Sequence, residues 1–587
     1  MTTLTPLTLL TRWLLVLMLL AGSSMTDARR PAAVSTAIVP TTAIVPTRAC
    51  DALKTIDLTA VGGAGSSVTT AAEGTGAQPG TMCVVEGVIA PAIRFRVELP
   101  LRGWTERYLQ TGCGGLCGNL RITVGAADGC PIAAAGGFVL ASTDMGHEGM
   151  DSAWAKDPRK RADFAYRGVH LTAVAAKALI RTFYGRDARY AYFSGCSDGG
   201  REALVEAQRF PDDFDGIVAG APAMAFTVQN SMFHGWQAHA NTDAGGKPIL
   251  LAGRLPILHA AVLAACDAGD GLADGIVATP STCRFDPVST VCRAGQSTDT
   301  CLTRDEATVA RRFYEGPRDA KTGVRLTQGG PQYGSELQWA GVYVPQGAKQ
   351  PILSNMIVSG AMGPLISPDG TPATAADLIF NRATFEKLAT HHTFYDATSP
   401  DLTGFQRHGG KLILYHGWAD PHISPLNTIA YHDAVRRQMG ARVADGFERL
   451  YLLPGMSHCS GGEGPSALDL LTPVIDWVEH DRAPDMIATR TAAQTRSGSP
   501  IGDRSGGMTG SNGRANVGRP AGMMPAVLAG PKRTRPIYPY PYVAAYSGKG
   551  DPNDAVNWSR GGAVPVAIPV WAGSWYFRPY AGEARLD

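Results

Sequence analysis

Three residues far apart in the chain have the types that nucleophilic catalysis needs. Ser197 lies in Gly195-Cys196-Ser197-Asp198-Gly199, Asp420 ends Tyr415-His416-Gly417-Trp418-Ala419-Asp420, and His458 ends Pro454-Gly455-Met456-Ser457-His458. A serine hydroxyl is a weak nucleophile at neutral pH. An imidazole must take its proton, and a carboxylate must hold that imidazole and stabilise its charged form. Taken singly the signals are weak. The chain has 69 glycines, so a chance Gly-x-Ser-x-Gly is easy to find. A lone Asp in a turn is usually a solvated cap, and a lone loop His is usually surface. The order Ser, Asp, His, with each residue following a strand-like run, reverses that judgement. Asp144 with His147 is a competing pair but precedes the serine. His416 and His422 are competing bases, and His422 follows Asp420 too closely to receive its carboxylate and still meet Ser197.

Two further features belong to this chemistry. An oxyanion needs two N–H donors. Asp198, the residue after the nucleophile, is expected to supply one, and Gly112 in the turn Thr111-Gly112-Cys113-Gly114-Gly115 the second. Cys196 precedes the serine and Cys459 follows the histidine, so hydrogen bonding of Ser197 with His458 brings two cysteines into disulfide range. The alternative is two buried thiols.

The elements must place these residues on one edge. Aromatic and β-capable residues lead into Ser197, and helix formers follow from Glu202 to Gln208, giving strand, sharp turn, helix. Strands are expected at 95–100, 107–110, 138–143, 214–219, 412–416 and 447–453. Helices are expected at 166–184 and 468–480. Alternating strands and helices imply a mostly parallel sheet covered on both faces. The rhythm breaks from Pro222 to about Gly404 and then resumes. The class is therefore α/β: an α/β-hydrolase fold with a large inserted lid. The expected organisation is a signal peptide at 1–28, a Pro/Ala/Thr/Val spacer at 29–49, core at 50–222, lid at 223–404, core again at 405–490, a disordered loop at 491–531 and a tail packing on the core at 532–587.

The leader carries Arg12 and a short apolar run, too short to span a bilayer. Export to a secreted or periplasmic location makes the eleven cysteines legible as disulfides, one at least being left over. A net charge of +2 argues against nucleic acid or acidic membrane as the main partner. The sequence says nothing of oligomeric state.

The segments Gly195-Cys-Ser-Asp-Gly-Gly-Arg-Glu202, Tyr415 to Asp420, and Pro454 to Gly462 together resemble the tannase/feruloyl esterase family of α/β-hydrolases, whose members carry paired cysteines beside their Ser and His. The resemblance spans roughly residues 50–482. It implies a serine carboxylic ester hydrolase acting on aromatic esters without an organic cofactor. Feruloyl esterase is the first choice, with tannase or terephthalate monoester hydrolase as alternatives. It also implies disulfides Cys50–Cys83 and Cys292–Cys301, and a structural Ca2+ in the lid on Asp267, Asp270 and Asp274 with the carbonyls of Leu272 and Ile276. Three carboxylates and curling glycines suit a hard cation; the bland reading is an acidic surface turn. Cys266 and Cys283 flank that loop and bridge its base. Two of Cys113, Cys117 and Cys130 could bond, and the sequence does not choose. The chain departs from the family in lacking a tail disulfide and in its long 491–530 loop. Lid side chains that could meet substrate are Phe226, Phe233, Trp236, Trp339, Tyr343 and Arg382. Readings of other kinds are a non-catalytic calcium-stabilised binding protein, which the intact three residues argue against, and a serine peptidase of the same fold.

Overall fold

The computed structural model describes residues 44–492, apart from 364, 368–371 and 373, and residues 532–580. The leader, most of the spacer and nearly all of the 491–531 loop lie outside the described residues. Nine strands make the central sheet: β1 (Ser67–Thr75), β2 (Thr81–Ile89), β3 (Ile93–Pro100), β4 (Arg107–Thr111), β5 (Phe138–Thr143), β6 (Tyr190–Cys196), β7 (Gly216–Gly220), β8 (Lys411–Gly417) and β9 (Glu448–Leu453). Their order is β1-β2-β3-β5-β4-β6-β7-β8-β9. The three pairings from β1 to β5 are antiparallel, and every pairing from β5 to β9 is parallel.

The parallel half reads as the sequence predicts. β5 and β7 are buried at every position, and β8 at all but Lys411. Strands covered on both faces need apolar residues throughout rather than alternation. The covering helices include α1 (Gly168–Tyr184), α2 (Asp198–Arg209), α3 (Pro425–Met439) and α4 (Leu471–His480). α1 buries Ala173, Ala175, Ala176, Leu179 and Ile180, and stops at Gly185, whose φ of 70° is left-handed. The predicted 468–480 helix begins three residues late because Ala467–Leu468 pairs with Arg490 and Thr489.

The insertion leaves the sheet after β7 and returns at β8. Its stalk is tied to the Ser197 backbone. Ala223 N–H donates to the Ser197 carbonyl at 2.9 Å, and Ala397 N–H to the Met224 carbonyl at 2.8 Å. Asp396 accepts from Thr227 N and Oγ1, both at 2.9 Å. Beyond the stalk the lid has a core of its own around Leu258, Phe313, Trp339 and Tyr343.

The chain's last described segment also docks. Trp571 and Tyr576 are buried beside Phe385 of the lid. Thr398 Oγ1 donates to the Tyr576 carbonyl at 2.7 Å, and Tyr580 Oη to the Asp396 carbonyl at 2.9 Å. The tail therefore meets the base of the insertion as well as the sheet. Among the described residues no helix is long and apolar enough to cross a membrane.

Candidate active site

Ser197 sits between β6 and α2 at φ 66°, ψ −121°. That conformation costs a non-glycine residue roughly 1–3 kcal/mol, so its surroundings must impose it. They do so through the backbone. Ser197 N–H donates to the Gly220 carbonyl at 3.0 Å, and Gly199 N–H to the Cys113 carbonyl at 2.7 Å. A Cβ on Gly199 would stand 2.9 Å from that same carbonyl oxygen, and one on Gly112 would stand 2.5 Å from Gly199 Cα. Only glycine at both places lets the 111–115 turn lie on the elbow.

Because β6, β8 and β9 run parallel, their C-terminal ends share one edge. Asp420 follows β8 and His458 follows β9. Asp420 is wholly buried and meets four donors. Oδ1 accepts from the N–H groups of His422 at 2.7 Å and Ile423 at 3.1 Å. Oδ2 meets His458 Nδ1 at 2.7 Å and His416 Nε2 at 3.1 Å. Burial is the largest single influence and opposes the charge. The His458 imidazole and the bonds from His416 and His458 outweigh it, and hold the carboxyl well below the usual carboxylate range.

The Cys196–Cys459 disulfide is present, with Cα atoms 6.0 Å apart across a sequence separation of 263. It ties the neighbours of Ser197 and His458 together. Cys459 itself holds φ 61°. Among the described residues the Ser197 hydroxyl makes no hydrogen bond. In substrate-free sites such contacts are often long and tighten only on binding.

One assignment needs correction. Gly112 N–H donates to the Ser194 carbonyl at 3.0 Å, continuing the β4–β6 ladder past Thr111. It is committed, so it does not serve as an oxyanion donor, and Gly112 contributes by lacking a side chain. Cys113 N–H, the next in the turn, lies 3.3 Å from Glu202 Oε1. Asp198 N–H opens α2, where no carbonyl precedes it in the helix. The Asp198 carboxylate is paired with buried Arg201, at 2.7 and 3.0 Å. Arg201 stacks against Phe164 and Phe226, with its guanidinium carbon 4.7 and 5.4 Å from the ring centroids.

The remaining cysteines resolve. Cys50–Cys83, Cys266–Cys283 and Cys292–Cys301 are bonded as the resemblance implies. Cys113 bonds Cys117 within the glycine turn, and Cys130 stays a buried thiol. A spacing of four residues permitted the Cys113–Cys117 bond without requiring it. Glu202 lies under that turn, its carboxyl pushed well up by burial first and by the Asp198 charge second.

The lid brings a polar group that sequence reasoning missed. The His422 ring centroid is 4.9 Å from that of His458, and His234 lies 5.9 Å beyond. Gln229 donates its amide to the His422 carbonyl, pinning the lid to the Asp420 loop. Burial, then the His458 charge, lowers the His422 pKa to about 3, so that ring is neutral in working conditions. Of the lid side chains singled out, Phe233 stands closest in this chain of contacts, 5.5 Å from His234. Phe226 packs on Arg201, Trp339 and Tyr343 fill the lid's own core, and Arg382 is paired with Glu386 at 2.7 Å. Trp236 Nε1 donates to the Arg312 carbonyl at 2.9 Å.

The acidic lid loop curls at Gly271 (φ 92°) and Gly275 (φ 84°), above the Cys266–Cys283 bond. Asp267 accepts the N–H groups of Asp274, Gly275 and Ile276 at 3.3, 2.8 and 3.2 Å. Asp270 Oδ1 accepts from Leu272 N at 3.0 Å. Asp274 pairs one oxygen with buried Arg535, and its other oxygen, Oδ1, is buried with no partner. Burial, opposed by the Leu272 N–H bond and reinforced by the Asp274 charge, raises the Asp270 carboxyl. An orphaned carboxylate oxygen among three acids fits a hard cation, and two positive charges plus Arg535 would balance three negative ones.

The sheet order, the elbow and the inserted lid are those of an α/β-hydrolase. Residues 77–560 match the family model described as tannase and feruloyl esterase, and the chain belongs to that family. It is similar to an uncharacterised esterase of Xanthomonas campestris pv. campestris, 33% identical over 84% of this chain and 87% of that one. It is also similar to a mono(2-hydroxyethyl) terephthalate hydrolase of Piscinibacter sakaiensis, 32% identical over 81% and 84% of the two chains. Among solved structures, feruloyl esterase B of Aspergillus oryzae superposes with a TM-score of 0.70 over 87% of this chain and 100% of that one. At 24% identity that likeness speaks to the fold. The protein is a carboxylic ester hydrolase.

Proposed function

We propose that the chain hydrolyses aromatic carboxylic esters of the hydroxycinnamate type through Ser197, His458 and Asp420. The observation that carries this is the 2.7 Å bond from His458 to Asp420, together with the disulfide joining the residues beside Ser197 and His458. Ser197 Oγ attacks the ester carbonyl carbon and its proton passes to His458 Nε2. Asp420 stabilises the imidazolium so formed. Asp198 N–H, with the N–H of Gly114 or Gly115, holds the oxyanion. The carbonyl re-forms, the C–O bond to the alcohol breaks, and the alcohol leaves with the proton from His458. Water then repeats the sequence on the acyl-serine, releasing the acid.

Apolar Phe233 beside neutral His234 and His422 suits a phenolic ring with its hydroxyl group. Arg382, the lid cation considered for a free carboxylate, is occupied by Glu386. Ca2+ would be held by Asp267, Asp270, Asp274 and the carbonyls of Leu272 and Ile276. It would supply charge balance to the lid, away from the reacting atoms. Five disulfides support an oxidising location outside the cytoplasm.

The test is a hydrolysis panel of methyl ferulate, methyl gallate and mono(2-hydroxyethyl) terephthalate. Ferulate should give the highest kcat/KM, and Ser197→Ala should lower it by about 10^4-fold or more. A gallate or terephthalate preference overturns the substrate class. An active Ser197→Ala protein overturns the mechanism.

A further inference from the structure

Asp420 Oδ2 is shared by two imidazoles, and of the two His458 is the one whose neighbour is tied to the Ser197 segment, through Cys196–Cys459. The second is His416, on β8, with no exposed surface. Its Nε2 lies 3.1 Å from Asp420 Oδ2 and 3.1 Å from the Ile423 carbonyl, both of which can only accept. Nε2 must therefore carry a hydrogen. Its Nδ1 lies 2.8 Å from Thr428 Oγ1 on α3, a group that can donate or accept. The ring is thus fixed at three points by two elements and a loop, and it does not need to move during a catalytic cycle.

We infer that His416 is a positioning residue: its fixed Nε2–H holds Asp420 Oδ2 in place and shares that oxygen's charge with His458, setting how strongly Asp420 favours a protonated His458. A carboxylate oxygen that already accepts one hydrogen bond is a weaker acceptor for the next. Without His416 the whole charge of Oδ2 faces His458, and the imidazolium becomes easier to form and harder to discharge. The carboxylate is also freer to rotate, which costs rate because small displacements of a base are expensive. Other groups facing this pair are His422 on the same loop, His458 after β9, and His234 and Tyr343 from the lid. His422 and His234 are kept neutral by burial, so neither brings a positive charge to Asp420.

The inference rests on the Ser197–His458–Asp420 reading and is tested beside it. The measurement is kcat/KM for methyl ferulate against pH in wild type, Ser197→Ala, His416→Leu, His416→Gln and His416→Asn. Gln places an amide N–H near the position of Nε2; Asn places it near Nδ1. His416→Leu and His416→Asn should lose about 10- to 100-fold in kcat with KM little changed. Their acidic limb should move to higher pH, because His458 holds its proton more tightly. His416→Gln should recover most of the rate and the wild-type limb. If His416→Leu does not fold, the contrast between Gln and Asn decides. Unshifted limbs in both overturn the inference, as does a rate loss that Gln does not relieve. If Ser197→Ala stays active, the triad reading itself has failed. An inactive Ser197→Ala beside wild-type His416 variants leaves the triad standing and removes His416 from it.

Discussion

Asp420, buried, and Asp274, partly buried, are both loop aspartates, and the chain treats them differently. Asp420 has four hydrogen-bond donors on its two oxygens. Asp274 has Arg535 on one oxygen and nothing on the other. A fully bonded carboxylate is a fixed charge, suited to steadying an imidazole through a reaction. A half-bonded one is costly to bury. At the rim of the sheet the protein itself supplies every partner of the carboxylate, whereas in the lid loop Asp274 Oδ1 is left without one.

The largest effect should come from opening the rim. The Cys196–Cys459 bond spans 263 positions and joins the neighbours of Ser197 and His458. A Cys196→Ser/Cys459→Ser variant should lose about 10- to 100-fold in kcat, because the two groups are no longer held together. It should also melt lower, a long closed loop being worth about 2–4 kcal/mol. Wild-type turnover in that variant would show that the rim holds its geometry without sulfur.

A smaller effect is expected at the lid loop. Chelation, or Asp274→Asn, should lower the melting temperature by about 5 °C, consistent with loss of a ligand bound well above its dissociation constant. KM should rise while kcat in saturating substrate changes little. Elemental analysis of the purified protein should find about one calcium per chain. A calcium-free protein with the same melting temperature would make the loop a plain acidic turn, with Arg535 its sole counter-charge.

The smallest effect tests burial against bonding at the first competing pair. His147 is buried with neither ring nitrogen bonded, stacked 4.1 Å from Trp154. Burial lowers its pKa to about 4. The unfolded chain takes up that proton near pH 6.5 and the folded chain only near pH 4. Stability is therefore full above the unfolded value and falls as pH drops between the two. His147→Phe should flatten that decline, raising the melting temperature at pH 5 by about 2 °C relative to wild type while leaving pH 8 unchanged.

The strand ends that carry Ser197, Asp420 and His458 were legible because buried parallel strands read as largely apolar runs. The same rule hid the antiparallel edge. β1 buries only two of its nine positions, so Thr, Glu and Gly there carry no strand signal. Gly112 was misassigned because a ladder bond to Ser194 depends on the partner strand's register, which no local pattern records. His416 enters the sequence reading only as a competing base. Its bond to Asp420 Oδ2, the oxygen that also meets His458, depends on the turn after β8, and its second anchor, Thr428, emerges only when β8 and α3 are packed together. The His234–His422 contact crosses from lid to core and has no sequence spacing to betray it.

The stalk of the insertion has a practical consequence for protein engineering. Ala223 is bonded to Ser197 itself, and residues 224 and 227 are zipped to 396 and 397. A chimera that borrows a relative's substrate-covering segment should splice beyond Thr227 and before Asp396. Grafts cut at Pro222 would exchange part of the nucleophile's own scaffolding along with the cover.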